Sequence, residues 1–228
     1  MDVYVLCAGR QTRYGGNESK MMANVNGKPA FSYTMNVLTS VFPEDFVTVV
    51  TSTLYPNLND FVRSSFPKSR IKIDSTPGNG TMHTLSKTFP WRTKSAFVTE
   101  GDIYFMPDLI RDQTKIMSEN PEVKTVMGIT PYIEIAPTHR GVNVAPKLEI
   151  PASNEQLKNK PTHRNIGAHT INSRVENWIN LKRTPNVIDL IRYMHSHGES
   201  VIASIYLFAY LHLASSEDIQ SWEKYFKK

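Results

Sequence analysis

Short apolar runs recur along the chain, separated by segments whose apolar residues fall three and four apart. "VYVL" (3–6) is apolar at every position, the pattern of a strand buried on both faces. Residues 30–41 predict a helix started by Pro29, and "FVTVV" (46–50) predicts a second strand. "FVRSSF" (61–66) belongs to another helix, and "RIKI" (70–73) is a short third strand. "TPGNGTMHTLSKTF" (76–89) turns into a helix near Thr81. "SAFVTEGDIYF" (95–105) reads as one strand with a charged end at Gly101-Asp102. "PDLIRDQTKIM" (107–117) then begins a helix with Pro, and "VKTVMGIT" (123–130) is a further strand.

Strand and helix alternate through these first 130 residues, which predicts a mostly parallel sheet covered by helices on both faces. Residues 131–164 differ, because Pro131, Pro137, Pro146, Pro151 and Pro161 interrupt any period and predict loops with short irregular strands. "NIGAHTIN" (165–172) reads as a strand returning to the sheet. Val187, Leu190, Ile191 and Met194 share one helix face, "VIASIYLF" (201–208) is a strand, and 215–226 is a last helix with Ser215 or Ser216 as N-cap. The expectation is a single domain over 1–228, with no internal repeat.

Composition narrows the class. The 228 residues are 40% apolar and 21% charged, the balance of an ordinary globular protein. No apolar run reaches the length of a membrane span, and the first residues have no signal-peptide pattern, so a cytoplasmic protein without a membrane partner is expected. Cys7 is the single cysteine, which excludes an internal disulfide and a cysteine zinc cluster. The net charge of +5 comes from scattered residues with no basic arm, so no nucleic-acid partner is expected. Nothing in the sequence sets the oligomeric state.

Ligands of open α/β sheets lie beyond the carboxyl ends of the strands, and three such ends carry chemistry. After the first strand, Gly9, Gly15 and Gly16 permit close backbone approach to phosphate oxygens, and Arg13 and Lys20 supply cations. The loop is not a P-loop, since Ser19 precedes Lys20 and Met21 follows it. A plain surface loop stays open at this point. Gly80 and Thr81 in "GNGTMHTL" (78–85) place N–H groups at a helix start, as a phosphate or base site or an ordinary cap does. Glu100 and Asp102 end a buried strand, where a carboxylate is costly without compensation by a cation, a cap or a salt bridge.

Taken in order, these segments resemble the sugar-phosphate nucleotidyltransferases, the nucleotide-sugar pyrophosphorylases of GT-A-like fold. "LCAGRQTRYGGNESK" (6–20) and "NGKPAF" (26–31) are similar to the family's L-A-A-G-x-G-T-R, following lysine and G-K-P. "GTMHTL" (80–85) resembles G-T-A-x-A-L, Gly101-Asp102 the metal-binding G-D, "NKPTHRNIGAHTIN" (159–172) the E-K-P and N-x-G-x-Y pair, and "YLHLASSEDI" (210–219) the closing W-x-D motif. The resemblance implies a Rossmann-like mixed, mostly parallel sheet flanked by helices. It implies a nucleotide-binding half over 1–130 and a sugar-phosphate-binding half over 131–228.

It also implies roles. Arg13 and Lys20 would clamp the triphosphate, and Leu6, Ala8, Gly9, Gln11, Thr12, Gly80, Thr81 and Gly101 would bind the nucleotide. Lys160, Asn165 and Gly167 would bind the sugar phosphate, and Asp102 would hold Mg²⁺, with Mn²⁺ as the alternative and His212 as a second candidate ligand. The implied reaction condenses an NTP with a sugar-1-phosphate, or a similar small phosphate, and releases pyrophosphate. Three positions depart from the family: Gln11 replaces a loop glycine, Asn159 replaces Glu, and His212 replaces the second metal aspartate. Imidazole is a poor Mg²⁺ ligand. A GT-A glycosyltransferase is a weaker alternative, as Asp102 is followed by Ile103 and Tyr104 rather than by a D-x-D pattern; a non-catalytic nucleotide-binding relative is the other.

Overall fold

The structure is a computed structural model that describes residues 1–10, 18–77, 80–131, 141–144, 148, 150, 161–179, 182–208 and 210–227. Its centre is a sheet of β1 (Asp2–Leu6), β4 (Val47–Ser52), β5 (Arg70–Asp74), β6 (Ser95–Glu100), β8 (Thr125–Pro131), β10 (His163–Asn172) and β11 (Val201–Ile205). The order is β11-β8-β10-β6-β1-β4-β5, and β9 (Gly141–Val142) pairs with β10. β10 runs against β6 and β8, while β4 and β6 flank β1 in parallel, β5 follows β4 and β11 follows β8. The sheet is therefore mixed but mostly parallel, as the alternation of the sequence predicts.

Alternation along each strand sends side chains to two separate apolar layers. Val3, Val5, Val49 and Phe97 pack with Phe31, Met35 and Leu38 of α1 (Ala30–Val41), Leu58 and Val62 of α2 (Pro56–Ser65), and Leu109 and Ile110 of α4 (Pro107–Glu119). Tyr4, Leu6, Val98 and Met127 face the other way, onto Met82 and Leu85 of α3 (Thr81–Ser86) and Leu190, Ile191 and Met194 of α5 (Val187–Ser196). Burial on both sides explains why "VYVL" shows no polar alternation. Gln113 of α4 is buried, and its amide donates to the Ala168 carbonyl (3.0 Å) while its oxygen accepts from Thr170 (3.2 Å), which joins helix to strand without an unpaired group.

Three expectations are corrected. The run 95–105 is not one strand: β6 stops at Glu100, the chain turns at Gly101-Asp102, and β7 (Ile103–Tyr104) leaves the sheet to pair with β12 (Leu211–His212). The strand expected over 201–208 ends at Ile205, and Leu207 and Phe208 are exposed beyond it. The last helix, α6 (Asp218–Phe226), has Glu217 as N-cap rather than a serine. Asp218 reaches back instead, accepting from the Ala214 N–H (2.9 Å), the Ser215 N–H (2.7 Å) and the Ser215 hydroxyl. Trp222 of α6 is core, packed against Leu213, Val25 and Ala30 beside the hairpin of β2 (Asn24–Val25) and β3 (Lys28–Pro29).

At the amino end of β1, Asp2 is fully buried. It accepts from the Arg92 guanidinium, the Arg92 N–H (3.0 Å), the Thr93 N–H (3.2 Å) and the Thr93 hydroxyl. Replacing Asp2 by Ala strands those N–H groups, at about 1–3 kcal/mol by the usual cost of unmet buried donors. Denaturant unfolding of Asp2→Ala is expected to show a loss of this size, with its midpoint lowered and its slope unchanged.

Candidate active site

From β1 the chain steps to β4 and β5 on one side, then crosses to β6 on the other, so the strand order reverses between β1 and β6. A crevice outside the carboxyl ends of strands at such a reversal is the usual ligand site of open α/β sheets. Here it is a cavity of about 430 Å³. Its wall includes Leu6, Gly9, Lys20, Gly80, Thr81, Asp102, Asn165, Gly167 and His212, all singled out in the sequence. Ala8 and Gly101 are buried in the turns just after β1 and β6. Gln11, Thr12, Arg13, Gly15, Gly16, Asn159 and Lys160 lie outside the described residues.

The charged centre is Asp102, buried in the turn between β6 and β7. Lys20, opening a short 3₁₀ turn after Ser19, forms an ion pair with its Oδ2. His212 Nε2 lies 3.2 Å from the same oxygen. That placement is a matter of register: β12 pairs His212 with Ile103, and the Leu213 N–H donates to the Asp102 carbonyl (2.8 Å). Burial alone would raise the Asp102 pKa, but the Lys20 ammonium and the His212 imidazole more than offset it and hold the carboxyl well below the usual carboxylate range. For His212 burial acts downward, and the Asp102 charge and hydrogen bond outweigh it, so its pKa is raised.

Glycines decide how closely the walls meet. Gly101 has Cys7 against it, and a Cβ there would stand 2.3 Å from the Cys7 Sγ. Gly167, at φ +69, occupies the shift in register between β10 and β8 and brings its backbone onto the Glu100 carboxyl. The polar atoms of Thr81 are engaged in the joint between α3 and α5: its N–H donates to Asn186 Oδ1 (3.4 Å) and its hydroxyl accepts from the Val187 N–H (3.0 Å).

Glu100, Asp102 and His212 each offer one ligand atom, and the three atoms lie within 4.8 Å of one another. The two carboxylates suit a hard divalent cation, and the added imidazole suits Mn²⁺ better than Mg²⁺. The donor set therefore fits a divalent metal. Sequence reasoning noted Glu100 but left it out of the ligand set. It also missed His169, Asn186 and Tyr210, which line the cavity. His169 and Tyr210 stand at the last position of the N-x-G-x-Y match and the first of the W-x-D match, which were the signals for them; Asn186 had none. The Tyr210 hydroxyl is pushed up by burial, with Glu100 adding to the shift, and the Arg164 guanidinium lies 4.7 Å over its ring.

A family model for the MobA-like NTP transferase domain matches residues 3–150. The chain belongs to this family. No curated protein matches the MobA-like chain in sequence. Among solved structures, the inositol-1-phosphate CTP transferase from T. maritima superposes with a TM-score of 0.81 at 16% identity, over 100% of this chain and 96% of the other. A putative glucose-1-phosphate thymidylyltransferase from Bacillus anthracis, in complex with a sucrose, gives a TM-score of 0.81 at 13% identity, over 99% and 94%. At these identities the likeness is one of fold, and the MobA-like sheet is a GT-A-like nucleotidyltransferase sheet. The protein is a nucleotidyltransferase.

Two measurements probe this MobA-like site. Gly101→Ala is expected to destabilise the fold by about 1–3 kcal/mol through overpacking on Cys7. Combined with Cys7→Ala it is expected to cost less than the two changes summed, a coupling visible in denaturant midpoints. Burial lowers the pKa of His169 from 6.5 to about 3, so the folded state resists its protonation. Because the unfolded chain takes up that proton first, stability falls as pH drops from 6.5 toward 3. Between pH 6.5 and 4.5 the melting temperature of His169→Phe is expected to fall less steeply than that of the parent protein.

Proposed function

We propose that this nucleotidyltransferase joins an NTP to a sugar-1-phosphate or a similar small phosphate, giving an NDP-linked product and pyrophosphate. The observation that carries the reading is the cluster of Lys20, Glu100, Asp102 and His212 at the point where the strand order reverses. The MobA-like family match and the neighbours named for inositol-1-phosphate and glucose-1-phosphate support it. Residues 1–130 would hold the nucleotide and 131–228 the phosphorylated acceptor, as one domain. Arg13 and Lys160, matched to the family by sequence, would add cations for the triphosphate and the acceptor phosphate. Cys7 is a free, buried thiol, which suits a cytoplasmic setting.

The chemistry asks little of side chains as acids or bases. A phosphate monoester has its second pKa near ~6, so an acceptor oxygen is already anionic near neutral pH. It attacks the α-phosphorus, the bond to the β-phosphate oxygen breaks, and pyrophosphate leaves with the electron pair. The demand is to align two anions that repel, which is positioning and charge stabilisation. Before substrate arrives, Lys20 neutralises Asp102. On nucleotide binding the ammonium would turn to the phosphates, releasing the carboxylate. Asp102 and Glu100, with His212, would hold a divalent cation, Mg²⁺ or Mn²⁺, which supplies charge neutralisation on the triphosphate.

Pyrophosphate release across four NTPs and a panel of small phosphates, with Mg²⁺ and then Mn²⁺, tests the proposal. Release is expected with one pairing above the rest, and no release with any pairing would sink it. Lys20→Ala and Asp102→Asn are each expected to lower kcat by about a hundredfold or more, the scale of losing a charge-stabilising group. His212→Asp is expected to raise the Mg²⁺-supported rate relative to the Mn²⁺-supported one, because carboxylate replaces imidazole in the donor set.

A further inference from the structure

The central sheet has two edges, and they are finished differently. β5, at one end of the order, presents Arg70 and Lys72 as exposed side chains, the kind of charge that keeps an edge strand from pairing with another chain. β11, at the other end, is Val201-Ile202-Ala203-Ser204-Ile205, with neither a charge nor a proline. Among the described residues no strand lies on its outer side. Beyond it the apolar run continues into solvent. Ile205 is 49% exposed, Leu207 74% and Phe208 59%, three of the five large apolar side chains that are exposed among the described residues. The direction of the main chain completes the edge. The Ser200 carbonyl accepts from the Lys124 N–H (2.9 Å) and the Tyr206 N–H donates to the Ile129 carbonyl (2.7 Å), so even-numbered residues turn their main-chain groups toward β8. Val201, Ala203 and Ile205 therefore aim theirs outward. Side chains of the same three share one face: Val201 and Ala203 lean on the layer of α3 and α5, whereas Ile205 stands past its cover.

We propose that β11 is the contact through which two copies of this chain associate, in antiparallel register about a two-fold axis at Ala203. This association is independent of the reaction proposed above. In that register Val201 faces Ile205 of the second copy and Ala203 faces its own counterpart, each pair joined by the outward N–H and C=O groups. The apolar row then continues without a break from one sheet into the other, and the exposed Ile205 of each copy is covered by its neighbour. A second copy suits this edge because the row is its own complement when reversed: a β-branched residue, a small one and a β-branched one, with no charge among them. An isologous pair of this kind is closed. β11 set against β5 would instead build an open chain of copies and would bring the apolar row beside Arg70 and Lys72.

Sedimentation of the full chain across about 1–100 μM, a range that covers micromolar association, tests the contact. A monomer–dimer equilibrium with no larger species is expected. Ile205→Lys, at an exposed position, should leave the melting temperature unchanged and weaken the dimer about tenfold or more, because an unpaired cation then meets Val201 of the second copy. Ala203→Cys should give a covalent dimer on mild oxidation, since the Cα atoms of such a facing pair lie about 5.5 Å apart, within disulfide reach. Cys7 is buried, so the parent protein should not cross-link, and Ile73→Cys on the β5 edge should not either. A parent protein that stays monomeric across the range, species that grow beyond the dimer, a dimer untouched by Ile205→Lys, or cross-linking at position 73 in place of 203 would each overturn the proposal.

Discussion

A carboxylate removed from water must be balanced, and much of the architecture around Asp102 answers that demand. The group is 6% exposed in a turn at the end of a buried strand, where an unpaired charge would cost several kcal/mol on the order of an ion's effective desolvation. Lys20 comes from the loop after β1 and His212 from the far end of the chain, and both converge on one oxygen. Both groups that hold its charge also line the cavity, so the balance of the carboxylate is set at the cavity wall.

The topology explains why these residues meet. Parallel β1 and β6 end at the same level, so the loop carrying Lys20 and the turn carrying Asp102 open onto one crevice. β10, antiparallel to its neighbours β6 and β8, then closes the crevice on its other side with a kink at Gly167 that lays backbone against Glu100. α3 and α5 are joined at their starts, where Gly80 accommodates the Pro185 carbonyl at a distance no Cβ would allow. The floor and walls are thus rigid elements, and chemistry is carried on their ends.

The fold was legible where one physical signal dominated. A fully apolar run marked β1, largely apolar β-branched runs marked β4 and β8, and a proline at the start marked α1 and α4. Boundaries were lost where tertiary structure overrode local pattern. Residues 95–105 keep a strand-like composition throughout, yet Gly101 breaks them, because Cys7 leaves room only for a bare backbone. The serines before α6 read as side-chain caps, but the Asp218 and Ile219 N–H groups donate to the Ser215 and Ser216 carbonyls, while the Asp218 carboxylate takes the N–H groups of Ala214 and Ser215. In the site, Lys20 and Asp102 were visible because charge after an apolar strand is conspicuous. Their pairing was not, since 82 residues separate them. His169 hid for the opposite reason: a histidine in an apolar strand looks like packing until a cavity is seen beside it.

The two-residue ladder between β7 and β12 has a consequence for how the molecule comes together. The family match spans residues 3–150, so it contains Lys20 and Asp102 but not the histidine that completes their cluster. Until residues 211–213 fold back onto 102–104, Asp102 lacks one of its two partners and part of its cover. Full burial of the Asp102 carboxylate therefore depends on a segment outside the matched region. Substitutions in that segment can change the charge at the centre of the cavity while residues 3–150 stay unaltered.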